Sequence, residues 1–278
     1  VAALLALSGA LLWGAGDFLG GVASRRLAVL TVLAISQAIG LAGVALWVLL
    51  TRDPFPGVPE LLPAAASGVA GLVGLAALYR GFAVGAMGVV APISAAFPIV
   101  PLVIDAAQGI TPSAPQLAGV ALVVTGVAVL SWKPVSGSAT RPLAAGAGLA
   151  VVAALGFGLF VVALDAGADE SAPWAVVAAR STSTAIAVGV ALLTSTSLRC
   201  PRRIVPVLVG VGVFDTGANV AVALATTKGA AGIVAVLSAL YPVVTIVLAR
   251  VVLAETLTLG RRVGGGVAIA GAALVAVG

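Results

Sequence analysis

Histidine is absent from the sequence, cysteine and methionine occur once each, and only 8% of the 278 residues are charged. The first absence removes the commonest metal ligand and the commonest general base. The single cysteine, Cys200, has no partner within the chain for a disulfide. The scarcity of charge excludes an ordinary soluble fold, since soluble domains carry about 25% charged residues to keep their surfaces wet. What the chain has instead is apolar bulk: 62% of it is hydrophobic, aromatics make up only 5%, and 35 residues are glycine. A surface so poor in polar groups must face lipid, and abundant glycine suits membrane helices that pack closely through small side chains. The net charge of +5 would suggest nucleic acid for a soluble protein. Here the basic residues sit between apolar runs, so they report topology and no nucleic-acid partner is expected. No phosphate-binding loop, metal-ligand cluster or nucleophile–base pair is present, and the hydroxyls at 181–184 have no histidine to activate them. The chain is therefore expected to be neither an enzyme nor a holder of a cofactor or metal, and to draw energy from a gradient.

A helix needs about 20 apolar residues to cross the hydrocarbon core. Ten such stretches run along the chain, at 1–21, 30–50, 61–82, 86–105, 116–132, 143–164, 174–193, 204–224, 229–253 and 262–277. The first lacks a basic leader and is read as a membrane helix rather than a signal peptide. Turn chemistry separates the spans: 52–57 (Arg-Asp-Pro-Phe-Pro-Gly), 133–137 (Lys-Pro-Val-Ser-Gly) and the acidic stretch 165–173. Trp47, Trp132 and Trp174 fall near span ends, as interfacial aromatics do, whereas Trp13 lies inside the first span.

The chain also repeats itself. Residues 85–98 (GAMGVVAPISAAFP) align without gaps on 229–242 (GAAGIVAVLSALYP), sharing Gly-x-x-Gly and Ser-x-x-aromatic-Pro. The spans divide into two repeats, 1–134 and 135–278, of five each. An odd number of spans per repeat places the halves in opposite orientations. The expected class is thus all-α integral membrane, ten transmembrane helices as two inverted five-helix repeats. Inverted repeats accompany alternating-access transport, with the substrate near the midplane between them.

Several segments carry a resemblance to a known family: Leu12-Trp13-Gly14, the run Tyr79 to Gly85 leading into Ala91-Pro92-Ile93-Ser94, Leu240-Tyr241-Pro242-Val243-Val244, and Leu253-Ala254-Glu255-Thr256-Leu257-Thr258. With these the whole chain resembles the drug/metabolite transporter superfamily, in particular its EamA-like family of ten-helix transporters. Ala254 stands where that family's loop usually has glycine, and the first-half equivalent, Gln108-Gly109-Ile110-Thr111-Pro112, has lost the acid. The resemblance implies export of amino acids, other metabolites or drugs, and leaves the cargo open.

Ionisable residues within membrane spans are costly and are functional candidates by default. Asp17, inside the first span and followed by Arg25 and Arg26, looks like the acid of the small multidrug resistance relatives, which binds a proton or a cation. Arg180 in the seventh span stays charged at any reachable pH and needs a carboxylate or a substrate anion; Asp215 is a candidate partner, and the repeat sets Gln37 opposite it. Asp215 and Asn219, four residues apart, share one helix face. Asp105 and Asp165 are expected at solvated span ends. Pro92, Pro98 and Pro242 each remove a backbone donor, and the repeat-equivalent pair Pro98 and Pro242 suggests two kinked helices facing each other. Trp13, Ser94, Phe97, Ser238 and Tyr241 then join the cavity candidates.

Bases follow the odd-numbered spans (Arg25, Arg26, Arg80, Lys133, Arg141, Arg199, Arg202, Arg203, Arg261 and Arg262), while the other connections hold only Arg52 and Lys228. The positive-inside rule places the first set in the cytoplasm and both termini outside. The resulting expectation is a multi-pass protein of a bacterial inner membrane. It would be a secondary exporter of amino acid-like metabolites or drug-like solutes, with proton coupling on Asp17. A sugar or nucleotide-sugar carrier and a non-transporting scaffold are the alternatives. A monomer suffices for this architecture, and a homodimer remains open. Lipid and a small-molecule substrate are the expected partners.

Overall fold

Long apolar runs in lipid must satisfy their backbone groups internally, and helices do this within each segment. The computed structural model describes residues 1–24, 26–84, 93–131, 143–253 and 259–277, and these are helical without a strand. The described helices are α1 (Ala2–Ser24), α2 (Val29–Thr51), α3 (Val58–Val84), α4 (Ile99–Ala107), α5 (Ala114–Ser131), α6 (Leu143–Ala166), α7 (Ala172–Leu193), α8 (Val205–Thr226), α9 (Ala231–Ser238), α10 (Tyr241–Leu253) and α11 (Leu259–Val277). Six of them, α1, α2, α3, α6, α7 and α8, contain stretches long and apolar enough to cross a membrane. Helix α7 begins at a designed start: Ser171 Oγ accepts from the Trp174 amide at 3.3 Å and a proline occupies the first turn. Helix α2 ends at Arg52, whose left-handed backbone (φ 55°) turns the chain.

The fourth and ninth spans are not continuous helices. Residues 239–240 form a turn between α9 and α10, and 95–98 form the equivalent turn before α4. Pro98 is the residue capping α4, and Pro242 lies in the first turn of α10. Proline is tolerated there because the amide it lacks would be unpaired anyway. These two prolines therefore open helical segments instead of kinking a helix from within. Pro92 lies outside the described residues, as does the boundary expected at 134/135.

Helix pairing follows a pseudo-two-fold axis that exchanges the halves. Helix α1 packs on α8 as α6 packs on α3, α2 packs on α8 as α7 on α3, and α1 packs on α10 as α6 on α4, while α2–α7 and α5–α11 are their own images. Glycines record the symmetry at atomic scale. A Cβ on Gly14 would lie 2.5 Å from Val244 Cβ and 2.7 Å from Tyr241 O; one on Gly158 would lie 2.5 Å from Val100 Cβ and 2.7 Å from Phe97 O. All three residues of the second contact are the repeat equivalents of those in the first. Because a backbone carbonyl forms part of each wall, Gly158→Val is expected to lower stability by about 1–3 kcal/mol through overpacking. Thermal unfolding in detergent checks this; an unshifted transition would show the seam to be loose.

Small residues fill the interior, such as Ala64, Ala150 and Ala175, while large apolar side chains point outward, Leu193 being 87% exposed. That inversion of the soluble pattern matches a lipid-facing exterior. The two ends of the bundle differ in charge. One end, called here the acidic end, carries Asp53, Glu60, Asp105, Asp165, Asp169 and Glu170; the other, basic end carries Arg26, Arg80, Arg199, Arg202, Arg203 and Arg262.

One acid, Asp105, departs from the sequence expectation of solvated span ends, while Asp165 stays half-buried at the end of α6. Asp105 is only 5% exposed, and its Oδ2 accepts the Gly232 amide of α9 at 2.7 Å. Asp165 lies beside Thr226 and Asp105. An apolar end-of-helix sequence gives no sign that a second helix arrives with its unpaired amides, so only the folded structure reveals this cap.

Candidate functional site

A cavity of about 520 Å³ lies between the two repeats. The broken spans lead into it, because the turn at 95–98 puts Phe97 on its wall and α10, which opens directly after the turn at 239–240, puts Tyr241 there. Trp13, Phe157 and Phe160 complete an aromatic lining. Trp13 and Phe160 stand 6.4 Å apart and tilted, and Phe97 meets Phe157 edge-on at 6.4 Å. Trp13 Nε1–H donates to Asn219 Oδ1 at 2.9 Å, which ties α1 to α8 and holds the indole against the cavity.

A charged brace crosses one wall. Arg180 Nη2 lies 2.7 Å from Asp215 Oδ2, with the arginine 4% and the aspartate 33% exposed. Arg180 Nη1 also donates to Gln37 Oε1, and Ser183 Oγ lies 3.0 Å from the same oxygen. The buried Nε of Arg180 has no hydrogen-bond partner among the described residues. A guanidinium holds two acceptors through separate nitrogens of a rigid planar fork, whereas lysine offers a single ammonium nitrogen. The brace joins α2, α7 and α8, so it spans both repeats.

Asp17 is different. Its carboxylate opens onto the cavity and makes no hydrogen bond or ion pair with any of the described residues. Asp215 is near enough for the two negative charges to repel. With Arg180 neutralised by Asp215, the cavity keeps one uncompensated negative charge. Such a site, with aromatic faces around it, is chemically suited to a cation carrying an apolar body.

Nine of the ten cavity candidates from the sequence line this space: Trp13, Asp17, Gln37, Ser94, Phe97, Arg180, Asp215, Asn219 and Tyr241. Ser238 does not. It is 0% exposed and its hydroxyl donates to Ala6 O on α1 at 3.4 Å, because α9 ends there pressed against α1. Phe157, Phe160, Ser36 and Ser183 are lining residues the sequence reading missed. The repeat was the available signal, since Phe157 is the equivalent of Trp13. No group of three potential metal ligands occurs among the described residues.

The lining continues to Gly21, Ser24, Val29 and Leu78 at the basic end of α1, α2 and α3. Toward the acidic end the space stops at tightly packed residues of α1, α8 and α9, including Ala6, Ala10, Val222 and Val234. Among the described residues the cavity thus reaches the basic end and stops short of the acidic one.

The sequence profile of the EamA-like transporter family matches residues 1–132 and 144–277, one match per repeat. A solved crystal structure shares the fold at a TM-score of 0.82 and 21% identity, covering 99% of this chain and 96% of its own. None of the curated proteins matches the chain.

Proposed function

The chain belongs to the EamA-like transporter family, which makes it a multi-pass membrane transporter of the drug/metabolite type, and from that premise we propose that it exports small amphipathic solutes bearing an amine, in exchange for protons. The observation that carries this reading is the Asp17 carboxylate in an aromatic cavity, without a hydrogen-bond or ion-pair partner among the described residues. Amino acid-like metabolites and drug-like amines both bring a cation to such a site. Anionic cargo such as a sugar phosphate fits less well, since Arg180 is already engaged by Asp215 and Gln37. A proton and a substrate cation competing for one carboxylate couple the two fluxes without any further device.

The charge of the ends supports export as the direction. The basic end faces the cytoplasm of a bacterial inner membrane by the positive-inside rule. A cavity open there loads from inside, as an exporter does. The cavity lies within one chain, so a monomer suffices.

Proteoliposomes test the proposal. Under an imposed pH gradient, an internal pH dye is followed while a panel of amines, amino acids, sugars and lipophilic cations is added. Proton movement evoked by the amine-bearing members, and by none of the sugars, is the expected result. Movement evoked by sugars alone would refute the amine reading.

A further inference from the structure

The cavity is lopsided in a way that the pseudo-two-fold axis makes informative. At its inner part both repeats contribute equivalent positions: Trp13 with Phe157, Asp17 with Val161, Gln37 with Arg180. Toward the basic end the first repeat contributes most of the lining, through Gly20, Gly21 and Ser24 of α1 and Val29, Val32 and Leu33 of α2, with Val211 of α8 beside Gly20. The symmetry assigns each of these an image in the second repeat. For α1 the images on α6 follow the Gly14–Gly158 equivalence. For α2 they follow a second glycine pair: a Cβ on Gly212 would meet Ser36 O at 2.6 Å, and one on Gly68 would meet Ala179 O. The images are Leu164, Asp165 and Ala168, then Ala172, Ala175 and Val176.

Five of those six now form a single packed cluster at the acidic end, each at most 4% exposed. Ser24, Val29 and Leu33 border the open cavity on one side of the axis, while their images Ala168, Ala172 and Val176 are packed dry on the other; Val32, 3% exposed, is nearly as buried as its image Ala175. In an inverted-repeat carrier the second access state arises when the halves exchange conformations. We infer that Leu164, Ala168, Ala172, Ala175 and Val176 are the closed gate of the acidic end, latched by Asp105, and that they become the walls of the vestibule when that end opens.

The latch is the Asp105–Gly232 contact. It joins α4 of the first repeat to the start of α9 in the second, where a carboxylate meets free amides and the positive end of a helix. Glycine at 232 permits it, because a Cβ there would come within 2.9 Å of Asp105 Oδ2 and 2.8 Å of Leu102 Cα. The repeat equivalent of Asp105 is residue 249, where the sequence has alanine. The sequence therefore supplies a carboxylate at this position in the first repeat and none at its equivalent in the second, which favours the state open to the basic end.

The inference rests on the carrier reading, yet its test needs no solute. In a Cys200→Ser background, Val176→Cys reports on the gate and Ser24→Cys on the basic-end vestibule. Each is labelled with a membrane-impermeant maleimide, applied from the acidic side for position 176 and from the basic side for position 24. Adding Asp105→Ala is expected to speed labelling at 176 by about tenfold, the loss of one charge-assisted hydrogen bond, and to slow labelling at 24. Should Val176→Cys misfold, Ala168→Cys replaces it; should Asp105→Ala misfold, Asp105→Asn replaces it. Labelling at 176 that is undetectable with and without Asp105, while position 24 reacts, would overturn the gate. Equal rates at 176 in both backgrounds would overturn the latch. Gated labelling in a chain that moved no solute would sink the carrier reading and leave the gate standing.

Discussion

Asp17→Asn is expected to abolish proton-linked transport while leaving the fold intact. The amide has the shape of the carboxylate and breaks no contact, since Asp17 makes no hydrogen bond or ion pair with any of the described residues. What it removes is the charge. An ion pair formed away from bulk water contributes about 2–5 kcal/mol, so the flux of an amine substrate at subsaturating concentration should fall about a hundredfold. The unfolding temperature should hold, because the substitution breaks no contact with any of the described residues. The residual flux should also lose its dependence on pH, as the site that exchanges proton for cation is gone. Flux and thermal unfolding measured on the same preparation separate the cases. An asparagine variant that transports like the parent at every pH would remove Asp17 from the mechanism.

The second large effect concerns the brace. Asp215→Ala strands a guanidinium that is 4% exposed. Breaking a buried pair by deleting one partner costs about 3–5 kcal/mol, because the remaining charge is uncompensated, whereas replacing both partners by apolar residues is often neutral. Asp215→Ala should therefore unfold or fail to accumulate, and the double variant Asp215→Leu with Arg180→Met should recover most of the stability. Arg180→Lys should fall between, keeping the charge and losing the fork that reaches Gln37 as well as Asp215. Denaturation in detergent orders the three variants. If Asp215→Ala proved as stable as the parent, the brace would be of no structural consequence.

Hydropathy and the repeat made most of this architecture legible from residues alone. Apolar length located the spans, and the match of 85–98 to 229–242 revealed the two halves. Scarcity of charge singled out Asp17, Arg180 and Asp215, because an ionisable side chain in lipid needs a reason to be there. Asp215, the partner expected for Arg180, is its ion-pair partner in the structure, and Gln37, which the repeat set opposite Arg180, accepts from it as well. The break between α9 and α10 escaped because both segments are equally apolar, and hydropathy cannot distinguish one helix from two in line. Ser238 was misplaced for a related reason: Ser94 and Ser238 are equivalent in sequence and both buried, yet only Ser94 borders the cavity, while the Ser238 hydroxyl is turned to Ala6 O. Asp105 was misread because its partner is a backbone amide more than a hundred residues away, and an amide leaves no mark in sequence.

The seam between α5 and α11 has a thermodynamic consequence of its own. Gly119 and Gly271 would each place a Cβ 2.7 Å from the other's carbonyl oxygen, and Gly126 and Gly264 face each other in the same manner at 2.7 and 2.8 Å. The axis maps this pair of helices onto itself. A contact that is its own mirror under exchange of the halves has the same energy before and after the exchange. It cancels from the balance between the two access states and enters only the balance between folded and unfolded chain. Substitutions along this seam can make the protein weaker or stronger without changing which side of the membrane it faces, so durability and directionality can be tuned separately.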